Sequence, residues 1–489
     1  MNSSGSLHGH SLATDLARAR EAVDAARAAP TGRWAEGSGH EINPSLRLLA
    51  LSWRHLGPSA VSTPPPEGSP EPIPGDELLL VWRPPWTGRA CARAAEPDDL
   101  LALKIVVESR DRKELAADGA LPPGAVEAVL ERAVAAGILL APCPLIARPA
   151  DFPRGEVNDD SFLVSSAFTL QWHLTQSCDL HCRHCYDRTA REAVPFVAAV
   201  RVLDDLHAFC TARRVSGAVS FSGGNPLLHP DVLEIYRAAS ERGFGLSILG
   251  NPAPRERIEE LVAIRAPRFF QVSLEGLEEH NDWMRGPGHF RRTLDFLGTL
   301  KALGVSSMVM LTLTADNIDQ VLPLAERLRG LVDDFHFNRL AMVGEGASLR
   351  LPTRERYERF LAEYLEAAGR DPGLGIKDNL INILLRRRGS PLFGGCTGFG
   401  CGAAFNFLAL LPDGEAHACR KFPSPVGNAV RDGLAAVYDS AAARRYRGGC
   451  AACRDCGIRP VCGGCLAVAH GFGLEPLRER DPLCFITGC

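Results

Sequence analysis

Cys178, Cys182 and Cys185 stand within one short stretch in the spacing C-x3-C-x2-C. Thiolates gathered this closely are suited to binding metal. Three of them are one too few for a closed site, since structural zinc and cubane iron–sulfur clusters both normally take four protein ligands. An open coordination position is implied, through which a substrate or cofactor could reach the metal. The alternative is a zinc knuckle that borrows His181 or His184. A second cysteine field closes the chain: Cys396, Cys401 and Cys419, then Cys450, Cys453, Cys456, Cys462 and Cys465, and finally Cys484 and Cys489. Its core, Cys453 to Cys465, reads C-x2-C-x5-C-x2-C. Zinc could also occupy such pairs. Cys91, Cys143 and Cys210 are isolated and read as small core residues.

The elements that position the first three cysteines are legible. Leu170, Trp172 and Leu174 alternate with polar residues, which predicts a strand over Thr169–Thr175 running directly into Cys178. Strand and helix signals then alternate as far as Arg339. Further strands are expected at Ala218–Ser222, Gly245–Gly250, Phe269–Glu275, Met308–Leu313 and Asp334–Arg339. Between them, Phe196, Val200, Leu203 and Cys210 share one helical face, as do Val232, Ile235, Tyr236 and Ala239 in a segment that ends at Gly243. This alternation makes a parallel α/β sheet, and reactive sites in such sheets lie at the C-terminal ends of the strands. The cysteine motif falls at that end of the first strand.

Upstream, residues 12–28 read as a helix ended by Pro30, and seven prolines between Pro58 and Pro74 predict an extended linker. A buried strand at Glu77–Trp82, short helices at Asp98–Glu108 and Arg112–Ala117, a longer helix beginning near Pro123 and a strand at Ile138–Ala141 suggest a small winged-helix-like module. DNA is the common partner of that fold. Between Asp76 and Arg132, however, stand 11 acidic and 8 basic side chains, a balance that repels phosphate, so peptide binding is expected instead.

Length and composition bound the rest. A chain of 489 residues can hold two to four domains, and 46% apolar with 23% charged residues is the make-up of a soluble globular protein. A formal net charge of -4 favours neither nucleic acid nor an anionic membrane. The N-terminus lacks a basic region followed by an apolar one, so a cytoplasmic protein is expected. There thiols stay reduced, which again directs 16 cysteines toward metal.

Taken together, these residues resemble the radical S-adenosylmethionine (radical SAM) enzymes, whose motif is C-x3-C-x-aromatic-C. His184 takes the aromatic position here, and Tyr186 follows the last cysteine as in many peptide-modifying members. Gly223-Gly224-Asn225-Pro226 matches the family's Gly-Gly-Glu-Pro, with Asn225 retaining an acceptor oxygen but not the negative charge. Leu249-Gly250-Asn251-Pro252 is close to the Thr-Asn-Gly of relatives. Ser273 to Gly276, with His280, Asp282, Arg285 and Phe290, looks like Ser-x-Asp-Gly and the motif that follows it, while Asn338 and Arg339 end the sixth strand as in relatives. The resemblance implies a six-stranded partial (β/α)6 barrel binding a 4Fe-4S cluster on Cys178, Cys182 and Cys185. It also implies that Tyr186, Gly223, Gly224, Asn225, Ser273, Arg285 and Asn338 surround SAM: the glycines admit backbone to the methionine amino group, Ser273 contacts the ribose and Arg285 the carboxylate.

The terminal cysteines resemble the SPASM domain, whose two auxiliary 4Fe-4S clusters take interleaved ligands. That implies Cys396, Cys401, Cys419 and Cys465 for one, and Cys453, Cys456, Cys462 and Cys484 for the other, with Cys450 able to substitute for Cys453 and Cys489 outside the pattern. The expected organisation is an N-terminal extension with linker (1–75), a winged-helix-like peptide-recognition domain (76–150), a radical SAM domain (160–390) and a SPASM domain (391–489). The implied function is modification of a ribosomally made precursor peptide by a 5′-deoxyadenosyl radical, fed by an electron donor such as ferredoxin or flavodoxin. The arrangement looks most like maturases of the thio(seleno)oxazole-modifying type, with a sulfatase-maturase-like, formylglycine-forming enzyme as the alternative. No catalytic acid or base can be chosen from these residues. A non-catalytic zinc-bearing regulator is the reading from another class; about 12 iron per chain separates three cubanes from it.

Overall fold

The computed structural model describes residues 10–30, 32–37, 39–108 and 125–487. The chain divides into two compact units, Met1–Cys143 and Pro144–Cys489.

Among the described residues the first unit holds five strands: β1 (Glu41–Ile42), β2 (Arg47–Arg54), β3 (Ile73–Trp82), β4 (Cys91–Ala94) and β5 (Leu139–Leu140). β2, β3 and β4 form an antiparallel sheet in that order, while β1 pairs antiparallel with β5. The apolar run in β3 serves both faces, as the twofold period of a strand requires. Leu79 and Val81 pack with Ala19, Val23 and Ala26 of the helix Leu12–Ala28, whereas Leu80 and Trp82 pack with Ala102, Ile105, Val129 and Leu130 of the helices Pro97–Val107 and Ala125–Ala135. Two expectations are corrected. The proline-rich segment is not wholly a linker, because its last residues open β3, where Ile73 and Pro74 pair with Arg54 and Trp53. The boundary expected at residue 75 therefore falls inside a strand, and extension and module share one folded unit. The helix expected at Arg112–Ala117 and the start near Pro123 lie outside the described residues.

The second unit opens with a short hairpin, β6 (Ile146–Ala147) and β7 (Val164–Ser165). Six parallel strands follow: β8 (Ala167–Thr175), β9 (Ser216–Gly223), β10 (Gly245–Leu249), β11 (Phe270–Ser273), β12 (Ser307–Leu313) and β13 (Asp334–Arg339). They are adjacent in sequence order, as the partial barrel requires. On one face Trp172, Phe221, Ile248, Val272, Leu311 and Phe337 are buried with the helices that connect the strands. The alternate positions are largely polar. Register places Gln171 beside Ser220 and Ser247, and Ser273 beside Met310 and His336, so this second face can meet a polar ligand.

Three more strands extend the sheet beyond β8: β14 (Phe407–Leu410), β15 (Glu415–His417) and β16 (Pro425–Asn428). β14 lies parallel to β8, with Leu408 opposite Leu170, and β15 and β16 return antiparallel. The domain boundary expected near residue 390 thus separates no sheet. Among the described residues no helix is long and apolar enough to cross a membrane.

Candidate active site

The loop after β8 carries Cys178, Cys182 and Cys185, and four neighbouring strand ends fix it. At its base Gln176 Nε2 donates to Asp187 Oδ2 (2.8 Å) and the Thr189 amide to Asp187 Oδ1 (2.9 Å). The end of β9 meets its first turn: the Gly224 amide donates to the Thr175 carbonyl (2.9 Å) and the Asn225 amide to that of Ser177 (2.8 Å). This contact explains the glycine pair. A Cβ on Gly223, whose φ is +130°, would stand 2.1 Å from Thr175 O, and one on Gly224 would stand 2.2 Å from Ser177 O. Gly223 and Gly224, expected to admit backbone to the SAM amino group, lie directly against the cysteine loop.

Beyond β10, Asn251 Nδ2 donates to Asp179 Oδ1 (2.6 Å) and points at Cys178 Sγ (3.6 Å). Beyond β13, the Glu345 amide donates to the Cys185 carbonyl (2.9 Å), and Gly344 packs so tightly that a Cβ would stand 2.5 Å from Tyr186 O.

Beyond β11, Glu275 is fully buried and pairs with Arg285, whose Nη2 and Nε lie 2.5 and 2.9 Å from its Oε1. Its other oxygen accepts the Thr312 amide at 2.6 Å. Burial acts to raise the Glu275 carboxyl, but the charges beside it and these hydrogen bonds prevail and hold it below the ordinary value. Arg285 Nη1 in turn points at Cys182 Sγ (3.7 Å), and Nη2 lies 3.4 Å from His184 Nε2. Arg285, expected to meet the SAM carboxylate, is paired with Glu275. Glu275 carries no role in the motif; its signal is an acidic residue just past an apolar strand, ten positions before the arginine. Burial holds His184 down to about 4, so the ring is neutral near pH 7.

The other expected cofactor residues are dispersed around the same edge. Tyr186 places its hydroxyl 3.1 Å from His173 Nε2, and burial pushes it up to about 12. Asn338 Nδ2 lies 3.0 Å from Met310 Sδ. Ser273 ends β11 with its side chain partly exposed. His173 Nδ1 and His184 Nδ1 are buried without a hydrogen-bond partner, which leaves polar capacity beside the loop. A cavity of about 580 Å³ opens against Cys182, lined also by His181, Arg183, Trp283 and Glu345. Arg183 sits over the half-exposed Trp283, 4.8 Å from the ring centre.

The terminal cysteines form two neighbourhoods. Cys401 feels the charge of Cys465 and Cys396, and Cys419 that of Cys465 and Cys401; burial pushes the Cys401 and Cys419 thiols up to about 11 and about 12. Cys462 feels Cys484 and Cys456, and Cys453 feels Cys450 and Cys462. Cys450 is a fifth thiol in the second neighbourhood, with its Sγ 3.0 Å from the Glu479 carbonyl oxygen. Cys489 lies outside the described residues. Among the described residues no three His, Cys, Asp or Glu side chains close on a single-ion site. The donor set instead fits clusters: thiols in groups, with amide and guanidinium N–H groups aimed at the Cys178 and Cys182 sulfurs.

Residues 172–328 match the radical SAM superfamily, and residues 401–465 match the SPASM iron–sulfur cluster-binding domain. The chain carries a radical SAM domain followed by a SPASM domain. The radical SAM domain binds SAM and a 4Fe-4S cluster, and the SPASM domain binds auxiliary iron–sulfur clusters. The matched radical SAM segment begins in β8 and ends before β13, so it contains the cysteine loop and the ends of β9, β10 and β11. The chain is 29% identical to the mycofactocin maturase MftC of Mycolicibacterium smegmatis, over 66% of this chain and 83% of that protein. It is 26% identical to the AdoMet-dependent heme synthase of Methanosarcina barkeri, over 64% of this chain and 95% of that one. In fold it is similar to Streptococcus suis SuiB bound to the precursor peptide SuiA, with a TM-score of 0.55 at 16% identity, covering 84% of this chain and 97% of SuiB.

Proposed function

We propose that this protein is a radical SAM enzyme that modifies a ribosomally made precursor peptide. The observation that carries this reading is the convergence of the cysteine loop with the ends of β9, β10, β11 and β13 at one edge of a parallel sheet. When bound, SAM supplies on one-electron reduction a 5′-deoxyadenosyl radical that takes hydrogen from a substrate C–H bond. Cys178, Cys182 and Cys185 would hold the cluster, one thiolate fewer than a closed four-ligand site takes. Asn251 and Arg285 aim N–H groups at two of the three sulfurs, outer hydrogen bonds that would orient and tune a bound cluster. Glu275 keeps Arg285 in place and cancels its charge. Tyr186, Ser273 and Asn338 line the polar face of the sheet where SAM and substrate meet, while Gly223, Gly224 and Asn225 brace the loop. In the SPASM domain, Cys396, Cys401, Cys419 and Cys465 would hold one auxiliary cluster, and Cys453, Cys456, Cys462 and Cys484 the other.

Peptide as the substrate is supported by the likeness to MftC and by the first unit, whose antiparallel sheet ends in the edge strands β2 and β4. An extended peptide can add to such an edge through main-chain hydrogen bonds. The electron would come from a donor such as ferredoxin or flavodoxin. The setting we propose is the cytoplasm, where thiols stay reduced and available to metal.

Anaerobically reconstituted protein given SAM and a reductant should release 5′-deoxyadenosine, and a short peptide encoded beside it should change mass. Full iron loading without any SAM cleavage would sink the reading.

A further inference from the structure

Asn225 stands where the family motif has a glutamate, so the end of β9 lacks a carboxylate. The structure has one immediately beside it. Asp179, the residue after Cys178, receives Asn225 Nδ2 at 3.0 Å and Asn251 Nδ2 at 2.6 Å, both on Oδ1. The two amides are 3% and 7% exposed, so their direction is set by packing rather than by solvent. Asn225 is oriented further by its own Oδ1, which accepts the Leu227 amide at 3.3 Å and leaves Nδ2 to face the aspartate. Asp179 itself is exposed, and its Oδ2 makes no hydrogen bond or ion pair to any described residue.

The other carboxylates beside the loop are engaged. Glu275 is neutralised by Arg285, and Asp187 takes the Gln176 side chain and the Thr189 amide. Asp179 is held by two neutral donors on one oxygen, meets no cation among the described residues, and leaves its other oxygen without a partner in the residue that follows Cys178. SAM carries an α-amino group whose N–H bonds a carboxylate is suited to accept.

We propose that Asp179 is that acceptor: the cysteine loop supplies the carboxylate that the end of β9 lacks, and Asp179 holds the SAM amino group with Asn225 and Asn251 fixing its orientation. The proposal rests on the reading that SAM binds at this edge. It makes the departure at Asn225 one half of a matched pair with Asp179, and assigns Asn251 to the same device.

The test is equilibrium dialysis of SAM against the full-length, reconstituted, oxidised protein, which does not turn over, with iron per chain measured in each sample. Asp179→Asn should weaken SAM binding about 10- to 100-fold, the loss expected for one charge-assisted hydrogen bond. The double variant Asp179→Asn with Asn225→Glu returns one carboxylate and one amide to the pair, and should recover most of that affinity. A SAM analogue lacking the α-amino group should bind the native protein more weakly than SAM, yet bind Asp179→Asn no worse than the native protein. Unchanged SAM affinity in Asp179→Asn at full iron content overturns the proposal. So does a double variant that keeps its iron but stays as weak as the single one, which settles the matter even if Asp179→Asn sheds its cluster. If the native protein itself fails to bind SAM, the reading of the site falls first and the proposal with it.

Discussion

Arg339 Nη1 lies 2.8 Å from Asp481 Oδ2, with neither side chain more than 2% exposed. The same carboxylate oxygen accepts the Cys465 amide at 2.9 Å, and Arg339 Nε reaches Asp378 at 2.7 Å. The last residue of β13 is therefore joined through one carboxylate to a cysteine of the SPASM domain. Arg339→Gln would leave two buried carboxylates facing a neutral group. Breaking a buried pair from one side costs about 3–5 kcal/mol, so the urea midpoint should fall and the auxiliary iron content with it. An unchanged midpoint would show that the pair is not structural.

The three loop cysteines should account for one cluster and no more. Replacing Cys178, Cys182 and Cys185 together by alanine should lower iron from about 12 to about 8 per chain and abolish 5′-deoxyadenosine formation, since each cubane holds about four. Complete loss of iron would mean that the SPASM domain does not load independently.

Gly224→Ala tests the seating of the loop. Its Cβ would meet the Ser177 carbonyl at 2.2 Å, a backbone atom that can move only with the loop. We expect overpacking of about 1–3 kcal/mol together with loss of the absorbance of the first cluster. Gly298 lies in the helix His289–Ala302, where a Cβ meets nothing within 4 Å. Gly298→Ala should leave the cluster intact and stabilise the chain by up to about 1 kcal/mol.

Acid should destabilise the second unit through its buried histidines. Burial holds His289 down to about 3 and His336 down to about 4, against about 6.5 when unfolded. Because the folded values are depressed, the unfolded chain binds more protons between about pH 6.5 and those values. Stability is thus retained above that window and lost as pH falls through it, by up to about 1.4 kcal/mol per pH unit for each histidine. Calorimetric transitions at pH 7.5 and pH 5.5 should move apart less in His289→Gln than in the native protein; an equal separation would refute the assignment.

Much of the parallel sheet was legible because its strands carry apolar residues on the face that packs against helices. Every end of β8 to β13 lies within two residues of its expected place. β14 was not legible. Four residues, Phe407 to Leu410, carry too little pattern, and their partner Leu170 stands more than two hundred positions away, so only tertiary packing defines the pairing. β2 escaped for a related reason: its exposed residues Arg47, Leu48 and Arg54 mix polar and apolar side chains, and its order comes from pairing with β3. At the site, motif spacing places these residues near the cysteine loop, whereas their partners are defined only in space: Glu275 against the Arg285 guanidinium, and the Thr175 and Ser177 carbonyls against Gly223 and Gly224.

The pairing of β14 with β8 also sets an order of events during synthesis. β8 and its cysteine loop leave the ribosome well before residue 410 exists, so for roughly 12–50 s, at about 5–20 residues per second, that strand has a bare edge. An unpaired edge invites strand addition from another chain. Soluble yield should therefore depend on translation speed and on chaperones that cover this edge, and iron is best delivered only after the C-terminal strand has closed it.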